Sequence, residues 1–483
     1  MEKPLAWCRS AVLPLSLFLL VFGTKLAVID RYGSDMPFWD QWAKEGELLY
    51  APWFERGELW HNLFLPHSEH RMAPTLALNL GLVVAGGQWD ARTQCVADAA
   101  LDAAIAVGLY VWARRRLGAL WGHAMFALLL LLFGPPLVWD NVLGGFQSQF
   151  YFLVGFSLLA MNGLIARAVF SGGWLLGLGA GLAASVSMGS GFLCFVPVAA
   201  VSLLRTLRRG APVRRAWVTL AVCIGVVGVA WIFRAHAPWH EPMHAQTPRD
   251  FLLYSYHCLS WPAPEWPWLA AVLWLPFLWA AFRWIRSGAS EGDGSFIMAG
   301  GAWVLLQIAA ISYSRGADGG LPASRYGSVL MVGVIFAFMS VAWLGRDKVR
   351  KLAHVYGLLA LLVIAAASIH STYRALHNEI PERTRLYRDC ERNVKAYVAT
   401  GDMRHLDQQR IPFPDAKWLA RILDEPTLRR LLPASINATS EMSGLSRFSE
   451  GLAKAGRYVV LLGALLMVAA ALASFPRRSS RPA

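Results

Sequence analysis

Charge is scarce in this sequence. Only 16% of its 483 residues are Asp, Glu, Lys or Arg, while 56% are hydrophobic, a balance outside that of ordinary soluble domains. The deficit argues against a disordered or wholly soluble chain and points to a membrane as the solvent. Acids are scarcer than bases, 31 against 45, for a net charge of +14. That surplus does not indicate nucleic acid, because the Lys and Arg sit in short clusters between apolar runs, where they orient helices. Cysteine is sparse too. Cys8, Cys95, Cys194, Cys223, Cys258 and Cys390 show no CxxC or metal-ligand spacing, so neither a disulfide framework nor a zinc site is expected. No internal repeat or low-complexity tract is visible. The apolar run after Lys3 and Arg9 continues to Ile29 without a convincing small-residue cleavage site, and reads as a retained first span.

What is present is a series of apolar runs. A crossing helix needs about 20 such residues, which predicts spans near 11–30, 94–113, 118–138, 149–168, 216–234, 266–283, 295–313, 326–345, 352–369 and 457–475. A hairpin over 173–204, interrupted by Ser185-Val-Ser-Met-Gly-Ser-Gly191, adds two short arms. The expectation is an all-α polytopic membrane protein of about twelve transmembrane helices.

Basic residues in short loops stay in the cytoplasm. Five clusters qualify: Arg114 to Arg116; Arg205, Arg208, Arg209, Arg214 and Arg215; Arg283 and Arg286; Arg346, Lys348, Arg350 and Lys351; and Arg477, Arg478 and Arg481. All five share one side only if Met72–Gly87, at roughly 16 residues short for a crossing, lies on or dips into the outer face. Segments 31–92, 139–148, 235–265, 314–325 and 371–456 then lie outside, and both termini are cytoplasmic. The expected organisation is a transmembrane core over 1–370 with a long first external loop at 31–92 containing interfacial helices. A small helical external domain at 371–456, with helices near 381–399, 415–424 and 426–432, precedes a last span and basic tail at 457–483.

The unusual polar residues fall in those outer segments. Gly33-Ser-Asp-Met-Pro-Phe-Trp-Asp-Gln-Trp42 places Asp35 and Asp40 just beyond the first span. Asp35 could be a helix cap and Asp40 a first-turn acid favoured by the dipole, but a carboxylate here could also serve as general base toward an acceptor hydroxyl. Pro66-His-Ser-Glu-His-Arg71 packs His67, Glu69, His70 and Arg71 together, suited to a phosphate head group, with a hydrated interfacial loop as the bland account. The stretch Trp139–Phe150 carries Asp140, Asn141, Gln147 and Gln149, with Gly144 and Gly145 permitting close backbone approach, equipment for gripping sugar hydroxyls. Arg325 and Tyr326 stand at the entrance of a span, where an Arg needs a partner and could bind phosphate. Arg315 and Asp318 compete with Arg325 in the same loop. His240 and His244 share a four-residue step, yet Pro238 and Pro242 favour a covering loop over a metal site. Asp98 and Asp102 read as a polar seam between helices, or as an ion or proton path.

The anchor, the acid-opened external loop, the short interfacial helix, the span and the basic turn over 11–116 together resemble the GT-C superfamily of membrane glycosyltransferases. Asp40-Gln41 matches the position of that superfamily's first-loop acidic motif, except that Gln41 replaces the common second acid and leaves Asp35 to supply it. Trp139–Phe150, Ser187–Gly191 and Asp424–Pro433 also resemble uncharacterised bacterial GT-C-like proteins. The resemblance implies an inverting transfer at the outer face of a bacterial inner membrane. The sugar would pass from a polyprenyl-phosphate donor to a glycan or lipid-linked acceptor, with Asp40 or Asp35 as base and Arg325 or Arg71 on the phosphate. No metal site is expected, though a divalent cation stays open as a cofactor. The competing readings are a lipid-linked glycan transporter or flippase, a glycan polymerase or ligase, and a non-catalytic assembly subunit.

Overall fold

A computed structural model of the chain describes residues 2–207, 213–288, 292–346 and 349–474. The expected basic residues Arg208, Arg209, Lys348, Arg477, Arg478 and Arg481 lie outside the described residues. All regular structure described is helical. The helices used below are α1 (Glu2–Tyr32), α2 (Gln41–Tyr50, a π-helix), α3 (Ala73–Gly86), α4 (Ala91–Leu117), α5 (Ala119–Phe133), α6 (Ser148–Ala166), α7 (Gly172–Ser185), α8 (Phe195–Leu207), α9 (Val213–Ile232), α10 (Trp268–Arg286), α11 (Asp293–Arg315), α12 (Gly327–Leu344), α13 (Arg350–Arg374), α14 (Ile380–Thr400), α15 (Ala416–Asp424) and α16 (Gly456–Ser474).

Among the described residues, nine helices are long and apolar enough to cross a membrane, which makes this a polytopic helical membrane protein. The remaining three expected spans are shorter. The run expected over 118–138 forms only the 15 residues of α5, because Pro135 and Pro136 follow its last turn and remove the donors that would continue it. The hairpin arms are α7, with 14 residues, and a 3-10 turn Gly191–Cys194 running into α8. A Cβ on Gly191 would fall 1.7 Å from the Ala184 carbonyl, so the turn needs glycine there.

The polar loops separate cleanly from the arginine clusters. At one end Asp293 pairs with Arg116 at 3.2 Å and with Arg346 at 2.8 Å, and Arg205 donates to the Ile165 carbonyl at 3.0 Å. At the other end the first loop, the 139–147 loop, the 186–190 turn, the 235–265 segment and residues 375–456 gather. Helix α3 belongs to this loop layer, tied through Ala73 N to the Val186 carbonyl at 3.0 Å. The segment 235–265 is more ordered than a covering loop: Thr247 and Asp250 form a capping box that starts a helix at Pro248–Leu259, a start signal legible as Thr-Pro-Arg-Asp.

Residues 371–456 do not stand apart from the rest. Helix α13 runs on through a π-helical turn, Ala375–Glu379, into α14, giving one apolar-to-polar rod over Arg350–Thr400. Val394, Tyr397, Leu419 and Leu428 then close one apolar core with Trp42, Tyr50, Leu76 and Trp89 of the first loop.

Inside the bundle, Lys25 of α1 and Asp102 of α4 form a 2.7 Å ion pair, 2% and 4% exposed. Asp98, one turn earlier, is fully buried. A buried pair is stable only while both charges are present, since removing one strands the other in a medium that cannot solvate it. Lys25→Met is therefore expected to lower the unfolding free energy by about 3 kcal/mol, and Lys25→Met with Asp102→Leu to restore most of it. Thermal unfolding of the detergent-solubilised protein checks both.

Candidate functional site

Asp40 stands at the N-cap of α2 but makes no capping hydrogen bond. Its carboxylate turns away from the helix, with Oδ1 3.2 Å from His67 Nε2, and stays 54% exposed. Asp40 is therefore not a side-chain cap, while its place at the helix start still lets the dipole favour an acid there. Trp39, the residue before it, is held at φ 52°, a left-handed conformation that costs a bulky side chain energy. It is fixed there by the bond from its N–H to the Pro412 carbonyl at 2.8 Å and by the stack of Phe38 on Tyr387, 4.0 Å between centroids. Burial pushes the Asp40 carboxyl up. The hydrogen bond and charge of His67, then Arg325 and His70, outweigh it, and the pKa settles below the ordinary carboxylate value.

His67 and His70 close a tight turn through reciprocal backbone bonds of 2.8 and 3.0 Å. Ser68 within it is at φ 50°. The His67 ring lies edge-on to Phe146, 6.3 Å between centroids. His70 Nδ1 accepts from the Gly189 N–H at 3.2 Å, which leaves the ring proton on Nε2. A Cβ on Gly189 would lie 2.5 Å from the Glu69 carbonyl, so this glycine of the 186–190 turn lets the two loops touch. Burial, ahead of the opposing pull of Glu69, drives the His70 pKa down to about 4.

Glu69 points the other way. Its Oε2 accepts from Arg315 at 2.9 Å and its Oε1 from the same guanidinium at 3.4 Å, with His240 Nδ1 at 3.1 Å and His244 Nε2 at 3.9 Å. Burial raises the Glu69 carboxyl, but Arg315 outweighs it and the pKa is lowered. His240 and His244 thus close the 235–247 segment over Glu69. Among the described residues no group of three or more His, Cys, Asp or Glu side chains is arranged to hold a metal ion.

Of the expected sugar-gripping set, Asp140 lies 3.4 Å from Arg325, whose side chain is 44% exposed. Asn141 is fully buried and donates to the Arg325 carbonyl and to Ser328 Oγ, both at 2.8 Å. It holds Arg325 in place and is not presented to a ligand. Tyr326 is buried, edge-on to Phe150. Gln149 is buried and donates weakly to Gln147 at 3.5 Å, leaving Gln147 the more accessible amide. Gly145 serves packing: its Cβ would meet Gln94 Oε1 at 2.4 Å. Ser187 bonds back to the Ala183 carbonyl at 2.8 Å.

Asp35 and Asp40 share no partner. Asp35 Oδ1 accepts from Ser435 Oγ at 2.7 Å, and burial, with Asp90 adding to it, raises its pKa. Two residues of the same stretch went unnoticed in the sequence. Lys44 is buried and donates to the carbonyls of Asn62 at 3.1 Å and Leu65 at 2.9 Å. Burial lowers its pKa to about 8. Glu45 is fully buried, accepting from Asn79 at 2.5 Å, Trp89 at 2.9 Å, Gln41 at 3.0 Å and Gln94 at 3.2 Å. Asn79, a lone amide on an apolar helix, was the available signal that a buried polar partner existed.

Beside the turn, an apolar groove of 580 Å³ runs between α7 and α9, lined by Leu182, Val186, Phe192, Val226, Val229 and Phe233, with Glu69, Arg71 and Arg234 among its walls. Arg71 donates to the Phe233 carbonyl at 2.7 Å. A carboxylate with an imidazole, a nearby guanidinium and a lipid-sized groove can bind an anionic amphiphile and accept a proton beside it. No family model, curated protein or solved structure matches this chain.

The His70 shift has a signed consequence. Between the ordinary imidazole value near 6.5 and about 4, the unfolded chain binds a proton that the folded chain refuses, so stability falls as pH falls through that window. Wild-type protein is expected to lose more Tm between pH 6.5 and 4.5 than His70→Gln, as measured by thermal unfolding at a series of pH values.

Proposed function

We propose that the protein is a GT-C-type glycosyltransferase that moves a sugar from a polyprenyl-phosphate donor to a glycan or lipid-linked acceptor, with inversion. The observation that carries this reading is the Asp40 carboxylate, solvent-reaching and free of capping, joined through the His67–His70 turn to a groove with two arginines in its walls. The groove would take the isoprenoid chain, apolar against apolar. Arg71 or Arg325 would hold the phosphate by forked, charge-assisted bonds, and Asp140 and Gln147 would meet the sugar. Burial of the acceptor hydroxyl beside a base, with the phosphate held opposite, suits in-line displacement at the anomeric carbon. The arginine-rich end would face the cytoplasm and the loop layer the outside, in a bacterial inner membrane.

Purified protein in liposomes, given a polyprenyl-phosphate sugar and an acceptor glycolipid, is expected to release free polyprenyl phosphate. Asp40→Asn should lower that release by about 10²-fold or more, and Asp35→Asn far less, since Asp35 faces Ser435. Undiminished release by the double variant would sink the reading. Passage of intact glycolipid across the bilayer without release of lipid phosphate would favour the transporter alternative instead.

A further inference from the structure

We propose that the acceptor's proton is taken by Nδ1 of His67, with Asp40 acting through the imidazole. This rests on the glycosyl-transfer reading above and assigns the base within it.

The 3.2 Å contact joins Asp40 Oδ1 to Nε2 of the ring. A neutral imidazole that donates Nε2–H to a carboxylate carries its lone pair on Nδ1. No hydrogen bond from another described residue engages that nitrogen, and the ring is only 20% exposed, held on one edge by Phe146 and at its backbone by the closed turn. The dyad is thus oriented before any substrate arrives. The titratable and charged groups nearest it are Arg325 and His70 on the Asp40 side, while Glu69 of the same turn points away to Arg315 and His240.

Asp40 itself is poorly equipped to take the proton. Oδ1 is already engaged with Nε2 of the ring at 3.2 Å, and its neighbours stabilise the ionised form, which lowers its basicity. The carboxylate fixes the tautomer and stabilises the imidazolium that forms, without being protonated itself. In the step, the acceptor oxygen forms its bond to the anomeric carbon as the bond from that carbon to the phosphate oxygen breaks. The electron pair of the broken bond leaves on the phosphate. The hydroxyl proton passes to His67 Nδ1.

Two measurements on full-length protein test this. The first is the pH profile of kcat/KM for lipid phosphate release. Its acid limb is expected to be present in wild type and lost in His67→Gln. His67→Gln should lower kcat by about 10²-fold or more with KM for the donor little changed, and His67→Gln with Asp40→Asn should be no worse than either alone, as for groups acting as one unit. An acid limb unchanged in His67→Gln, or His67→Gln within threefold of wild type, overturns the assignment and leaves Asp40 as the direct base. The second is carbethoxylation of His67 by diethyl pyrocarbonate, followed by peptide mapping across pH 5 to 8 in wild type and Asp40→Asn, which needs no turnover. A lower midpoint in Asp40→Asn is expected, because the carboxylate favours the imidazolium. Equal midpoints overturn the proposal whatever the activity. No lipid phosphate release by wild type, with the midpoint shift present, overturns the transferase reading and the base role with it, while the coupled dyad stands.

Discussion

A carboxylate buried without a cation holds the loop layer to the helical bundle. Glu45 is fully buried, and its oxygens accept from four amide or indole donors drawn from α2, α3, the segment before α4, and α4 itself. Burial raises its pKa against the pull of those donors, so each donor is needed to keep the group satisfied. Asn79 also reaches the Gly145 carbonyl at 3.1 Å, which extends the node to the loop carrying Asp140. Around this node α2 is enclosed on every side: Gln41, Trp42, Ala43, Lys44, Glu45 and Gly46, more than one full helical turn, are all buried. Asp40 sits one residue before this anchored run, so its position follows from the buried node.

A second π-helical turn does comparable work at the other side of the site. Ala375–Glu379 interrupts the rod of α13 and α14, and Glu379 Oε2 accepts from Trp139 Nε1 at 2.5 Å while its Oε1 lies 2.8 Å from Arg374 Nε as an ion pair. One turn further on, Arg383 donates to the Leu143 carbonyl at 2.6 Å and lies over the Tyr387 ring. The 139–147 loop is thus clamped at Trp139 and Leu143 by a helix rooted in the bundle. Asn141 completes the clamp by gripping the Arg325 carbonyl. Loop residues that would be mobile on their own acquire the rigidity of a long helix, which is what a binding geometry requires.

The sequence disclosed the elements better than their joints. Apolar run lengths located the long helices, the small-residue interruption located the 186–190 turn, and the basic clusters sorted loops to opposite ends, because each of these signals is local. Helices α14 and α15 were legible from their amphipathic period, and the short α3 from its length. The partnerships were not legible. Lys44-Glu45-Gly-Glu47 reads as a solvated polar run, and only the fold brings Asn79, Trp89 and Gln94 around Glu45. Asn141 and Gly145 looked like ligand-facing groups and proved to be supports, since donors and glycines serve packing and binding alike. Arg315 and Arg325 could not be told apart by position; Glu69 claims the first and Asp140 the second. The continuity of α13 with α14 was hidden by the change from apolar to polar composition, which alters the solvent around a helix without ending it.

The two halves of the Asp40–His67 contact are each preceded or followed by strain. Of four non-glycine residues with positive φ among those described, Trp39 adjoins Asp40 and Ser68 adjoins His67. Each such conformation costs on the order of 1–3 kcal/mol, and it persists only where surrounding contacts over-determine it. Here they do: the Pro412 carbonyl and the Phe38–Tyr387 stack hold one side, and the reciprocal turn bonds hold the other. A pair serving only stability gains little from such an arrangement, because an exposed ion pair returns at most about 1 kcal/mol and would not recover the strain beside it. A pair that must present a fixed geometry to a ligand gains from it directly, since the cost of ordering is met on folding rather than on binding. The distribution of strain therefore argues for a preorganised contact at Asp40 and His67 independently of the groove beside it, a feature that Asp35, bonded to Ser435, lacks.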